Sequence, residues 1–394
     1  MITVHFFDVP HEIYWGLLIA LYFYYTGMSA GSFILTSLGT VFGIEKYKKV
    51  SKVGVIMAIV LLLFAPLHLL FDLSQPGRFI NLFTHVNLTS AMSWGVYLLI
   101  LYPACLMIYA WFLFRQDFVK GLNQGGFKAS LYRFLLFGKT DMSEASKEND
   151  KKQAKFFGTL GVPLALAVHG YTGFILGNVQ ARAIWHTPLM PIIFLMSAMV
   201  SGTGLFIIVL MLVEKFKFGR LNEDIKALIA DIANLMKWFI VVDGALMIIY
   251  FIVLWYSSES GYAAGYFLLH NEGWSFLGLE NILGMLVPLL ILLSKKARQS
   301  LPAVVIASVL TIIGVLAMRI NLVIGGQKLP LTGSKIVEYV TSGQDIAIVL
   351  GIALAVIVVL SFLYSVLPMN RPGAQERAEI QGNKTIPTTK GVAQ

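Results

Sequence analysis

Nine stretches of this 394-residue chain are each long and apolar enough to cross the hydrocarbon core of a bilayer as a helix. They fall at roughly 14–42, 53–72, 92–114, 156–177, 188–213, 237–256, 274–294, 302–319 and 344–367. In lipid, every backbone N–H and C=O must find its hydrogen bond inside the protein, so such runs fold as helices and not as open sheet. The expected fold class is therefore all-α, a polytopic membrane protein of about nine transmembrane helices. Composition agrees: 57% of residues are hydrophobic and 13% charged, where soluble domains carry about a quarter charged. The net charge of +9 is then a property of loops. No nucleic-acid partner is expected, and most of the surface should meet the lipid bilayer.

The basic residues set the orientation. All but five of the thirty Lys and Arg fall in one alternate set of loops or in the tail; the exceptions are Arg78, Arg182, Arg319, Lys328 and Lys335. By the positive-inside rule the basic set is cytoplasmic, giving an outside N-terminus and a cytoplasmic C-terminus. The first run lacks a basic leader and a small-residue cleavage site, so it reads as a retained span. The loop 116–155 contains "KTDMSEASKENDKKQ", charged and poor in aromatics, and is expected to be flexible. Ahead of it "FKASLYRFLLFGK" has the pattern of a short interfacial helix. The tail 368–394 is expected to be cytoplasmic. The lone Cys105 excludes an intrachain disulfide, a cysteine-bound iron–sulfur cluster and a c-type haem attachment motif.

Ionisable groups inside these spans carry the functional signal, because each costs about 2.5–3.5 kcal/mol to insert. Span two ends in "PLHLLFDLSQPGRFINLFTH", with His68 and Asp72 one helical turn apart, followed by Arg78 and His85. Span four, "VPLALAVHGYTGFILGNVQARAIWHTP", carries His169 at a similar depth and Tyr171 two residues further out. Deeper polar groups are Asp243, Glu280, Arg319 and, at the start of the last span, Asp345. Reckoned from the ends of their apolar runs, Asp243 and Glu280 lie at staggered depths, the arrangement of a proton relay. Near span ends, Asp72, Arg78, Arg319 and Asp345 can equally be structural anchors whose charges reach water.

Two imidazoles, a carboxylate and a phenol under the outer face suit a quinone head group, whose two carbonyls gain protons on reduction. Trp15, Phe71, Phe79 and Trp94 supply an apolar wall. The same histidines could instead hold a haem b, and buried carboxylates could bind ions in a secondary transporter, although no paired broken-helix motif appears in corresponding halves. No metal site is expected.

Four segments resemble the NrfD/PsrC family of integral membrane subunits of respiratory oxidoreductases. They are "YWGLLIALYFYYTGMSAGSF", "FDLSQPGRFINLF…HVNLTSAMSWGVYLL", "AVHGYTGFILGNVQARAIWHTPLMPIIFLMSAMVSG" and "MRINLVIGGQ". The nine-span length and the H-G-Y-T-G motif look most like the DsrP-type branch of sulfate-reducer menaquinol complexes, with the polysulfide reductase anchor second. The resemblance implies a family-like transmembrane domain over 1–367: one four-helix bundle at about 14–177, a second at about 188–319, and an appended helix at about 344–367. It implies a subunit that binds menaquinone or ubiquinone as substrate and carries no haem or iron–sulfur cluster. Electrons would pass between the quinone pool and an extracytoplasmic four-cluster iron–sulfur subunit, one of several subunits of a complex in the inner (cytoplasmic) membrane.

Residue by residue, Asp72 and Arg78 match the family's loop motif, Asn87 and Trp94 the motif that follows, and His169 and Tyr171 the span-four motif. The span-one Asn and His of the polysulfide reductase anchor fall here, aligned on Gly27, at Ile19 and Tyr22, a departure in which Tyr22 can still donate. The expected quinone-binding set is Tyr22, His68, Asp72, Trp94, His169 and Tyr171. Arg78, His85 and Asn87 are expected to order the outer loop for partner docking, with Arg78 holding Asp72. Asp243, Glu280, Arg319 and Asp345 are expected to relay protons.

Overall fold

The computed structural model describes residues 12–73, 75–85, 87, 89–219, 221–330 and 336–369. Nine long apolar helices form among them: α1 (Leu17–Thr40), α2 (Ser51–Asp72), α3 (Met92–Gly121), α4 (Glu144–Gly177), α5 (Met190–Phe218), α6 (Glu223–Ser257), α7 (Trp274–Leu293), α8 (Leu301–Lys328) and α9 (Gly343–Val366). Each matches an expected span, and no strand occurs among the described residues. The protein is an all-α, multi-pass membrane protein.

Neighbour relations close two rings, α1–α2–α3–α4 and α5–α6–α7–α8, which meet where α5 packs on α1 and α4 and where α8 touches α1. The join is tight because small residues face each other: a Cβ on Gly31 of α1 would fall 2.1 Å from the Ala198 carbonyl oxygen of α5. Without a hydrophobic drive between helices in lipid, such close backbone packing supplies the association energy. Helix α9 lies outside both rings against α2, where Tyr364 Oη donates to Val53 O at 2.8 Å.

Polar bonds sort the loops into two ends. At the basic end Lys46 pairs with Asp231 and Lys49 with Asp224. There the last carbonyls of α9 are capped by Lys217 (to Tyr364 O and Leu367 O, both 2.7 Å) and Tyr132 (to Val366 O, 2.6 Å). At the opposite end the Gln327 side chain accepts from Tyr14 N and Trp15 N and donates to Trp15 O. Arg182 donates to Leu329 O at 2.6 Å, Lys328 pairs with Glu272, and Trp15 stacks on Trp185 at 5.4 Å. The "VIGGQ" motif thus ties the segment before α1 to the end of α8.

The long basic-end loop differs from expectation. Helix α3 continues to Gly121, a helix forms at Gly126–Leu135, and α4 begins at Glu144, so the connection is far shorter than 116–155. Its remainder is fixed by Arg115, which is buried and bonded twice to Asp150 (2.6 and 2.5 Å), to Asp141 O (2.8 Å) and to Ser146 Oγ (2.7 Å). Ser143 caps α4, and its N–H and hydroxyl bonds hold the Asp141 carboxyl below its usual pKa. The stretch is anchored through Asp150 and the backbone of Asp141, while most of its other charges stay exposed. Residues 370–394 of the tail lie outside the described residues.

Candidate functional site

His169 is placed by α4 at the junction of the two rings, fully buried, its ring over Gly27 of α1. Its Nε2 lies 2.8 Å from Phe194 O and 3.2 Å from Nη2 of Arg319. The same Nη2 bonds Phe194 O at 3.2 Å and Ser197 Oγ at 2.7 Å, and the guanidinium carbon sits 3.8 Å from the centre of the Phe194 ring. Arg319 has no accessible surface. A carbonyl oxygen can only accept, so the 2.8 Å contact runs from Nε2–H to Phe194 O, and the Nη2 of Arg319, whose two hydrogens meet Phe194 O and Ser197 Oγ, packs beside the ring nitrogen. The other ring nitrogen, Nδ1, lies 3.4 Å from Thr172 Oγ1. Buried guanidinium, imidazole, carbonyl and hydroxyl form one polar knot in an otherwise apolar interior.

On the other side of Arg319 lie the carboxylates. Asp243 of α6 and Glu280 of α7 line one small cavity with Val200, Ile240, Met247 and Met318, of about 10 Å³, enough for one water molecule. Asp243 Oδ1 is buried without a hydrogen-bond partner among the described residues, as is Arg319 Nε. Both carboxylates are within electrostatic range of Arg319, although neither lies within ion-pair distance among the described residues. Glu280 Oε2 accepts from Asn321 Nδ2 at 2.7 Å, and Asn321 Oδ1 accepts from Ser275 Oγ at 2.6 Å. Glu280 and Asn321 sit in π-helical stretches, Trp274–Leu286 and Asn321–Gly325, a widened turn frequent at functional sites. Helices α7 and α8 approach closely here, because a Cβ on Gly284 would fall 2.2 Å from Gly314 Cα.

The staggered depths expected for Asp243 and Glu280 are not observed: the two share a cavity. Helix α6 begins at Glu223, well before the apolar run at 237, so depth counted from the run's edge misplaces Asp243. Arg319 is likewise no span-end group, since α8 continues through its π turn to Lys328. Asp345 stands apart from this cluster. It is half-buried at the start of α9, in electrostatic range of Asp72 at the end of α2.

Of the remaining expected residues, His68 is fully buried on α2 with its ring 4.8 Å from Tyr25. Its Nδ1 lies 3.3 Å from Ala65 O, and its Nε2 has no hydrogen-bond partner among the described residues. Tyr171 lies on Gly95: a Cβ there would fall 2.3 Å from the phenol ring, and Tyr171 Oη donates to Met92 O at 3.3 Å. Tyr22 is buried within electrostatic range of Tyr171, whereas Trp94 is 54% exposed. Asp72 is half-buried, and Arg78, His85 and Asn87 are exposed. No ion pair joins Asp72 to Arg78 among the described residues, which corrects the expected clamp: Asp72 closes α2, while Arg78 belongs to a separate turn, Pro76–Ile80. Asn87 Oδ1 instead accepts from Thr89 N and Oγ1. Among the described residues no group of three or more His, Cys, Asp or Glu is placed to hold a metal ion.

Sequence reasoning missed Tyr25, Gly95, Ser197, Asn321 and Gln327. All five stand inside the quoted motifs, but a tyrosine, serine, asparagine, glutamine or glycine in an apolar run carries no functional signal by itself.

Two rings of helices that meet at a buried arginine–histidine contact, with two carboxylates nearby in the second ring, define a polytopic membrane protein with ionisable groups in its interior. The family model "Polysulphide reductase, NrfD" matches residues 8–330, and the chain belongs to the NrfD family. It is 30% identical over 319 residues to a selenate reductase subunit of Mesobacillus selenatarsenatis, covering 79% of this chain and 73% of that protein. It is 29% identical over 335 residues to the Hdr-like menaquinol oxidoreductase integral membrane subunit of Archaeoglobus fulgidus, covering 82% and 73%. With a polysulfide reductase polypeptide of Wolinella succinogenes it shares 24% over 327 residues, 80% and 95% of the two proteins.

Proposed function

We propose that this chain is the quinone-reactive membrane subunit of a respiratory oxidoreductase complex in the cytoplasmic membrane. It exchanges electrons between menaquinone or ubiquinone, as substrate, and an extracytoplasmic four-cluster iron–sulfur subunit. The relatives' names support this reading: one is a menaquinol oxidoreductase membrane subunit and others belong to reductases. The two helix rings then act as the two bundles, with α9 appended, and the basic end faces the cytoplasm.

One observation carries the proposal. Ionisable groups cluster in the membrane interior: His169 touches Arg319, and Arg319 is within electrostatic range of Asp243 and Glu280, which share a cavity. Quinol oxidation releases two protons with its two electrons, so a quinone site needs acceptors nearby whose charge the interior tolerates. The head group is placed between α1, α2 and α4, where His68 Nε2 is an unused buried polar atom and Tyr171 and Tyr22 offer hydroxyls. A haem held by His68 and His169 is disfavoured, because His169 Nε2 already faces Phe194 O and Arg319.

The test is quinol-dependent reduction of the partner's clusters in the purified complex. His68→Ala and His169→Ala should each depress turnover while the complex still assembles. Wild-type turnover in both variants would refute the site.

A further inference from the structure

The basic end holds a feature that electron transfer does not use. An apolar groove of about 620 Å³ runs between α5 and α9, lined by Val209, Leu212, Phe216, Ile357, Leu360 and Ser361. At Lys217 it adjoins a second, polar cavity of about 210 Å³ that is also lined by Lys120, Lys128 and Tyr132. Lys217 lines both, and neighbouring residues of the last turn of α9 line one or the other, so the two spaces adjoin at Lys217. We propose that this pair of adjoining spaces binds an anionic phospholipid, with its phosphate on Lys128 and Lys217 and an acyl chain in the groove.

Charge supports the headgroup assignment. Lys217 donates to Tyr364 O and Leu367 O, and Lys128 to Ser365 O at 3.2 Å. An ammonium has three N–H donors, so both lysines keep at least one. No carboxylate lies within ion-pair distance of either among the described residues, and the cavity's one acid, Asp117, is paired with Lys52. Two neighbouring cations without counter-charge at a membrane surface attract an anion at about 1 kcal/mol each.

Apolarity supports the assignment of the acyl tail. Leu212, Phe216 and Ile357 are exposed on spanning helices, where the surrounding medium is hydrocarbon. The protein's own tail beyond Met369, "NRPGAQERAEIQGNKTIPTTKGVAQ", is too polar to fill such a groove. A neutral quinone would leave the lysines without a counter-charge. An amphiphile with a phosphate at one end satisfies both halves.

The experiment uses the full chain, delipidated in detergent and offered phosphatidylglycerol and phosphatidylcholine of matched acyl chains, with bound lipid counted by native mass spectrometry. The wild type should retain phosphatidylglycerol over phosphatidylcholine by about ten- to thirtyfold, the preference that two lysines supply. Lys128→Gln combined with Lys217→Gln should abolish the preference. Because Lys217 also caps α9, Ser361→Trp is the second variant: it fills the groove, leaves the lysines in place, and should lower retention of the bound phosphatidylglycerol. A protein ending at Met369 should bind like the full-length one. Equal retention of the two lipids by the wild type overturns the proposal. So does a preference that survives the double lysine variant, retention unaffected by Ser361→Trp, or binding seen only in the shortened protein, which would give the basic cavity to the tail.

Discussion

Arg319 Nη2 lies 3.2 Å from His169 Nε2, across 150 residues of sequence and across the boundary between the two helix rings. This contact joins the histidine that the sequence offers to a quinone with the carboxylates that it offers to protons. The guanidinium also bonds Ser197 Oγ at 2.7 Å, so its position is fixed from α5 as well as α4.

Replacing Arg319 therefore should do two separable things. Arg319→Leu leaves Asp243 and Glu280 buried without the nearby cation and strips Ser197 Oγ of its donor and Phe194 O of one of its donors. A fall in melting temperature measured in detergent is expected, together with loss of quinol-linked turnover. Arg319→Lys keeps the charge but not the planar fork that reaches Phe194 O and Ser197. It should recover most of the stability and little of the turnover.

Asp243 and Glu280 should matter to protons more than to binding. Asp243→Asn and Glu280→Gln keep shape and remove titration, so each should slow proton-coupled turnover, by up to about 10²-fold if it acts as a general acid–base. The double variant should be no slower than the more impaired single, since the two share one cavity. Proton uptake by the reconstituted complex, followed beside electron transfer, checks this. An unchanged proton-to-electron ratio and rate in both singles would remove them from any path.

Gly95 gives a steric prediction. A methyl there falls 2.3 Å from the Tyr171 ring, so Gly95→Ala must push Tyr171 aside. Tyr171→Phe loses only the bond to Met92 O, worth about 1 kcal/mol. Gly95→Ala should raise the KM for a menaquinol analogue more than Tyr171→Phe does. The reverse order would show that the hydroxyl, not the ring's seat, is what counts.

At the basic end, Arg115→Met strands buried Asp150 and frees the turn around Asp141. It should lower stability by about 3–5 kcal/mol in thermal unfolding, with turnover per folded complex kept. The turn has its own pH signature. The Asp141 carboxyl is held below its usual value by the N–H and hydroxyl of Ser143. Its contribution is therefore complete above the ordinary carboxylate pKa and is lost as pH falls through the lowered one. Pepsin cleavage near Asp141 should rise as pH drops from about 5 to about 3, and Asp141→Asn should flatten that rise.

Much of this was legible in the sequence, and the gaps have physical causes. The nine helices were visible because an uninterrupted apolar run in lipid has one solution. The Arg319–His169 contact was not, since nothing local in "AMRINLVIGGQ" says that α8 continues past Arg319 through a π turn. There the polar Asn321 and paired glycines imitate a helix end. Asp345 was grouped with the wrong acids because a position at the start of a span says nothing about its neighbour, and α9 packs on α2. The stretch around Asp150 reads as a linker in sequence because its anchor, Arg115, lies on another helix.

The most direct test of quinone binding by this protein is photolabelling of the purified complex with an azido-quinone, followed by peptide mapping. Label competed away by menaquinol analogue should fall on α1, α2 and α4, around Tyr22, His68 and Tyr171, and should weaken in His68→Ala. Competable label confined to the other subunits, or to α6 through α9, would contradict it.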